Sequence, residues 1–171
     1  AGRGIVAQEL NVSHAFHSPL MEPMLDEFER IAQGIDHHAP QVNLISNVTG
    51  RFLAPSERMN AAYWRCHVRG TVRFADGIAA LMERDPAALL EIGPDPVLLG
   101  MAKSALPSGL PALPSLRRGR DLWAGLYEAL RQLYLLGAPI VWEEVSRESA
   151  AQKLELTTYP FERQRYCIAS A

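Results

Sequence analysis

An α/β fold is expected from three features of the chain. Ala88–Ile92 is a short apolar run, followed by Gly93-Pro94-Asp95-Pro96 and the apolar segment Val97–Leu106, which reads as strand, Gly/Pro loop and helix. Leu20, Met21, Met24, Leu25, Phe28, Ile31, Ala32 and Ile35 recur in steps of three and four, the pattern of one buried helical stripe. Ile5–Val12 and Val42–Val48 are short apolar stretches with the β-branched content of strands.

The other elements follow in order. His14–His17 is a connector. Ser18 then offers a hydroxyl cap and Pro19 sits in the first helical turn, where its missing N–H costs nothing; Pro23 is close enough to the start to distort only that turn. Thr49-Gly50 turns the chain after the second strand. Asn60 caps a helix running through Val68, and Phe74, Ile78, Leu81 and Met82 mark another that ends before Asp85-Pro86. Pro107–Pro114 is a Pro-rich connector, followed by basic Arg117, Arg118 and Arg120. Asp121 caps a long helix carrying Leu122, Trp123, Leu126, Leu130, Leu133 and Leu136, stopped by Gly137 and Pro139. Beyond Trp142 the chain is polar through Glu143–Lys153. It ends in Tyr159-Pro160-Phe161-Glu162-Arg163-Gln164-Arg165-Tyr166, which is neither helical nor alternating. Core-forming sequence therefore stops near residue 136, and the remainder is expected to be an extended linker that needs another surface to pack on. No internal repeat is present.

Composition narrows the class. With 171 residues, 48% hydrophobic and 21% charged, the chain has the make-up of a folded globular protein. Its net charge of −2 provides no field for steering onto nucleic acid or an anionic membrane, and neither is an expected partner. The longest apolar candidate, Leu133–Trp142, is broken by Gly137 and Pro139 and falls short of the ~20 residues a membrane-spanning helix needs. The start, Ala-Gly-Arg-Gly, has neither a signal-peptide pattern nor an initiator Met, so the chain reads as a cytoplasmic piece of a larger protein. Cys66 and Cys167 read best as thiols in a reducing cytosol, with one disulfide left open.

The stretch richest in chemistry is Val12-Ser13-His14-Ala15-Phe16-His17-Ser18-Pro19-Leu20-Met21. His17 directly precedes a helix start, whose partial positive charge disfavours imidazolium and leaves a ring able to accept a proton. On local grounds alone the better reading is a capping or packing residue, because a lone loop histidine is usually structural. His14 with His17, and His37-His38, have no companion Cys or carboxylates to complete a zinc site, so no metal is expected. Cys66-His67 hints at a thiolate nucleophile, but a helix carrying Tyr63 and Trp64 favours a buried bystander. Gly93-Pro94-Asp95-Pro96 lacks the Gly spacing and Lys of a phosphate loop. The arginines at 117, 118 and 120 form a solvated surface or a contact for an acidic partner.

His14-Ala15-Phe16-His17-Ser18-Pro19-Leu20-Met21 closely resembles the segment around the catalytic histidine of acyltransferase domains in modular type I polyketide synthases. Tyr63-Trp64, His67-Val68-Arg69 with Val72-Arg73-Phe74, and Glu91-Ile92-Gly93-Pro94 recur in that family in the same order. Pro114-Ser115-Leu116-Arg117-Arg118-Gly119 and Tyr159-Pro160-Phe161 with Arg163-Gln164-Arg165-Tyr166 are similar to the linker after the acyltransferase, although Cys167 stands where that linker commonly has Trp. The resemblance spans almost the whole chain. It implies that residues 1–13 end the ferredoxin-like small subdomain and 14–112 form the C-terminal part of an α/β-hydrolase-like large subdomain. Residues 113–171, including the helix 121–136, would be the post-acyltransferase linker.

The same resemblance implies roles. His17 matches the general base. His14, Ala15 and Phe16 match the specificity motif, in the form similar to malonyl-selective domains; a bulky Phe16 should crowd an α-methyl group. His67 aligns with a position whose main-chain carbonyl orients the catalytic imidazole in related transacylases. The family's nucleophilic Ser lies in a Gly-His-Ser-x-Gly turn, and no Gly-x-Ser-x-Gly occurs in these residues. The implied function is transfer of a malonyl unit from malonyl-CoA to the phosphopantetheine thiol of an acyl carrier protein, with no bound cofactor. The implied partners are the half of the domain that bears the Ser, the carrier protein, and the ketosynthase and adjacent domains through the linker; alone, the chain is expected to be inactive. Two other readings are a non-catalytic remnant that docks neighbouring domains, and a serine hydrolase, which the linker disfavours.

Overall fold

The structure is a computed structural model that describes residues 14–147 and 154–164. The expected strand Ile5–Val12, the segment 1–13 and Cys167 lie outside the described residues. The helical stripe after His17 forms in two pieces. Pro19–Met24 is a 3-10 helix, capped where the Leu20 N–H donates to the Ser18 hydroxyl, and α1 (Leu25–Ala32) continues it. Pro23 explains the break. It has no N–H to give to the carbonyl of Pro19, and its ring would strike that carbonyl in an α-helical turn.

Val42–Val48 is not a strand. Ile45 and Phe52 make a single antiparallel bridge, and Val42 is 75% exposed. Ser46 cuts the strand short: its hydroxyl accepts from the Val48 and Thr49 N–H groups, and its carbonyl from the Gly50 N–H. Those bonds reverse the chain locally and offer the backbone an alternative to a ladder.

Helix α2 (Ala61–Arg69) starts as expected, with the Asn60 side chain accepting from the Tyr63 N–H at 3.0 Å. It lies against α1 and the 3-10 helix. Arg65 reaches Asp26 and Glu29 at 2.7 and 3.1 Å, and Arg69 reaches Glu22 at 2.8 Å. Helix α3 (Phe74–Met82) follows. The predicted strand–loop–helix unit is present as β1 (Leu89–Glu91) and α4 (Val97–Ala102), extended by a 3-10 turn at Lys103–Ala105. The Glu91 carboxylate accepts from the Leu98 and Leu99 N–H groups and so ties the strand to the helix start.

The Pro-rich connector hides a strand that the sequence does not announce. β2 (Ala112–Pro114) pairs parallel with β1, in register Leu89↔Ala112, Leu90↔Leu113 and Glu91↔Pro114. Prolines at 111 and 114 are compatible because they stand at the ends of a three-residue ladder. The result is a β–α–β unit around a two-stranded parallel sheet.

Helix α5 (Leu122–Leu135) begins at Asp121, whose carboxylate accepts from the Ala124 N–H at 2.7 Å. It ends in a Schellman motif, in which the Ala138 N–H donates to the Leu133 carbonyl and the Gly137 N–H to that of Tyr134. Replacing Asp121 with Ala is expected to cost about 1 kcal/mol, read as a lower urea midpoint; an unchanged midpoint would show the cap to be idle. Past this helix the sequence promised only extended chain, yet Trp142–Ser146 forms a short helix, α6, with the Trp142 ring edge-on to Tyr134. Residues 154–164 are exposed and have no regular structure.

The apolar faces are only partly covered. Among the described residues, the buried apolar side chains are Leu25, Ala32, Ala61, Val68, Ala102, Leu113 and Ala129. Leu20, Ile31 and Ile35 of the first stripe, and Leu122 and Trp123 of α5, stay exposed. No helix among the described residues is long and apolar enough to cross a membrane.

Candidate active site

His17 has the backbone of a residue held in place. Its φ is +63°, the left-handed region, which among the described residues only one other non-glycine (Asp85) shares. Such a conformation costs of order 1–3 kcal/mol and persists only where neighbouring contacts enforce it. Two contacts do so here, both to the C-terminal end of α2. The His17 N–H donates to the Val68 carbonyl at 2.9 Å, and Nδ1 lies 2.8 Å from the Gly70 carbonyl oxygen.

A carbonyl oxygen can only accept, so in the neutral ring Nδ1 carries the proton. Nε2 is then an acceptor, the form that a general base requires. The residue is exposed, which leaves it accessible to a reacting group.

The orienting carbonyl is therefore that of Gly70, not that of His67. Within a helix, carbonyls point along the axis; Gly70 has left α2, with φ −80° and ψ 159°, and its carbonyl turns out toward His17. The position is also crowded: a Cβ on Gly70 would lie 2.8 Å from the Cys66 carbonyl oxygen. Sequence reasoning missed Gly70 because its part depends on where α2 ends, although a Gly just past a helix was a usable signal.

His67 contributes its side chain instead. Its ring is half-buried and stands edge-on to His17, with centroids 5.6 Å apart and planes at 76°. Burial first, and the charge of a protonated His17 second, hold the His67 imidazole below its ordinary value.

The three residues before His17 lie beside it. The Phe16 ring is 6.4 Å from that of His17 and 6.1 Å from that of His14, and Phe16 is 53% exposed. Ala15 is half-buried, and its carbonyl accepts from the Ser18 hydroxyl at 2.7 Å, closing the turn. Cys66, expected to be buried, is exposed. It lies two residues, about 200° around the helix, from buried Val68. Arg117, Arg118 and Arg120 are exposed, away from this cluster in sequence, in the turn that leads to α5. Among the described residues, no group of three or more His, Cys, Asp or Glu side chains is arranged as metal ligands.

Comparison with known proteins agrees on a family. The sequence family described as acyl transferase domain matches residues 1–138. The chain is 37% identical over 171 residues to polyketide synthase GfsA of Streptomyces halstedii, covering 98% of this chain and 2% of that protein. It is 41% identical over 162 residues to mycoketide-CoA synthase of Mycobacterium tuberculosis, covering 94% of this chain and 4% of that one.

Among solved structures, the acyltransferase domain from the second module of the salinomycin polyketide synthase is 42% identical with a TM-score of 0.72, over 84% of this chain and 35% of that one. The malonyl-CoA:acyl carrier protein transacylase of Xanthomonas oryzae is 27% identical with a TM-score of 0.57, over 70% of this chain and 37% of that one. The chain thus spans a few per cent of the curated synthases and about a third of the acyltransferase structures. By sequence, by fold and by the ordered motifs around its histidine, the chain belongs to the acyl transferase domain family, in the form carried by polyketide synthases.

Proposed function

We propose that the chain supplies the general base of an acyltransferase that moves a malonyl unit from malonyl-CoA to the phosphopantetheine thiol of an acyl carrier protein. The nucleophilic serine would stand in sequence outside these 171 residues. The observation that carries this reading is the His17 imidazole, anchored through Nδ1 to the Gly70 carbonyl so that Nε2 is the accepting nitrogen.

In the first half-reaction Nε2 takes the serine proton as the oxygen attacks the thioester carbonyl, and returns it to the departing CoA sulfur. In the second, the carrier thiol attacks the acyl-serine and gives its proton to Nε2, which passes it to the leaving serine oxygen. Uncovered apolar surface on α1 and α5 suits a chain that packs against the rest of a hydrolase-like large subdomain and, through residues 113–171, against neighbouring synthase domains.

Intact-mass measurement on the polypeptide that carries this chain tests the reading. Malonyl-CoA should leave a malonyl adduct that disappears when carrier protein is added. An adduct that never forms would favour a docking remnant; one discharged to water instead of the thiol would favour a hydrolase.

Phe16, beside the base and half open to solvent, is the residue proposed to disfavour an α-methyl group. Exchanging it for Ser should raise methylmalonyl use relative to malonyl by about tenfold in a competition assay, the worth of one methyl-sized clash. An unchanged ratio would remove Phe16 as a gate.

A further inference from the structure

Among the described residues, the His17 imidazole is held through its ring by one hydrogen bond, from Nδ1 to the Gly70 carbonyl. Held covalently at Cγ and by one hydrogen bond at Nδ1, the ring can still rock about its side-chain torsions within the tolerance of that bond, and rocking moves the opposite nitrogen. Two rings flank it in this structure: that of Phe16, tilted at 6.4 Å on the same loop, and, nearer, the side chain of His67, set edge-on at 5.6 Å from a separate helix.

His67 is itself braced. Tyr63, one helical turn earlier on α2, stacks on it at 6.2 Å with planes 27° apart, and Trp64 meets it edge-on at 5.5 Å. Tyr63 is tied down in turn: its hydroxyl accepts from the Ser46 hydroxyl at 3.1 Å, and Ser46 is fully buried in the turn that replaces the expected strand. A continuous path of packed groups therefore runs from a rigid turn, through Tyr63 and His67, to His17.

We infer that the His67 side chain, backed on one side by the Tyr63 and Trp64 rings, is a positioning residue that fixes the plane of the His17 ring and so the direction of Nε2. This deepens the proposed function and rests on it, because direction matters only if Nε2 accepts a proton. The ring that does this is a neutral one, since a second cation beside a protonated His17 would push it away. Tight contact is worth having at such a point: a displacement of about 1 Å of a reacting group can cost on the order of 100-fold in rate.

The test uses the whole polypeptide with His67→Phe, which keeps a flat ring, and His67→Leu, which fills the space without one. His67→Leu should slow acyl-enzyme formation at saturating malonyl-CoA by about tenfold or more, with KM nearly unchanged, while His67→Phe stays within about threefold of the unmodified protein. Nitrogen-15 shifts of the His17 ring should report the Nδ1–H tautomer in the unmodified and Phe proteins, and a mixture in the Leu protein.

Equal rates in all three proteins, or equal losses in both variants, would overturn the inference. If the Leu protein does not fold, two measurements decide: a tenfold loss in folded His67→Phe, or no nuclear Overhauser contact between the two rings in the unmodified protein, would overturn it. Failure of the functional reading looks different, because transfer would then survive loss of His17 while the nitrogen shifts still answered to His67.

Discussion

Removing the His17 side chain is expected to slow acyl transfer by the intact polypeptide by roughly 10³-fold or more, since a nucleophile deprived of its base keeps only the help of binding and charge stabilisation. Alanine tests this, but it also sits uneasily at φ +63°. Asparagine tolerates the left-handed region and cannot serve as the base, so it separates chemistry from backbone strain. His17→Asn should fold with the midpoint of the unmodified protein and be as inactive as His17→Ala. The residue is exposed, so neither change removes much packing. Rapid-quench measurement of the acyl-enzyme is the readout, and near-normal transfer by either variant would reject His17 as the base.

Gly50→Val is expected to give the largest loss of stability. Gly50 is buried and adopts φ +70°, a region that is costly for a β-branched residue. A Cβ there would lie 2.4 Å from the Asp76 Cβ and 3.3 Å from the Arg73 Cβ, so helix α3 would have to move. Backbone strain and overpacking together make about 2–4 kcal/mol, a large share of the 5–15 kcal/mol typical of a domain. In thermal denaturation that is a drop of several degrees in Tm. A midpoint unchanged within one degree would refute the close approach of this turn to α3. Some loss of transfer should accompany the change, because the same turn holds Ser46, on which Tyr63 depends.

What the sequence made legible was local. Asn60 and Asp121 announced the starts of α2 and α5, and Gly137 the end of α5, because a cap is written in one side chain and its immediate neighbours. Elements that depend on distant partners were not readable. β2 lies among prolines, and its ladder exists only because β1, more than twenty residues earlier, supplies the matching groups. Val42–Val48 had the composition of a strand but loses to the Ser46 turn, a competition between hydrogen bonds that apolar patterning does not register.

The site divides in the same way. His17 and the three residues before it were legible as a motif and lie together in space. The carbonyl that orients the ring was assigned to His67 and belongs to Gly70, because three residues of helix-end geometry separate the two. The contact of the His67 side chain with His17 was not foreseen at all. Neither residue, taken alone, says that the end of α2 meets the turn before the 3-10 helix.

The left-handed backbone at His17 also governs how this segment can be re-engineered. Both of its anchors, Val68 and Gly70, hang from one helix end, so the place of the imidazole is set by where α2 stops. Grafts that exchange residues 14–16 leave both anchors, which His17 itself makes, in place. An insertion or deletion at the end of α2, by contrast, would shift both carbonyls at once and carry the imidazole with them.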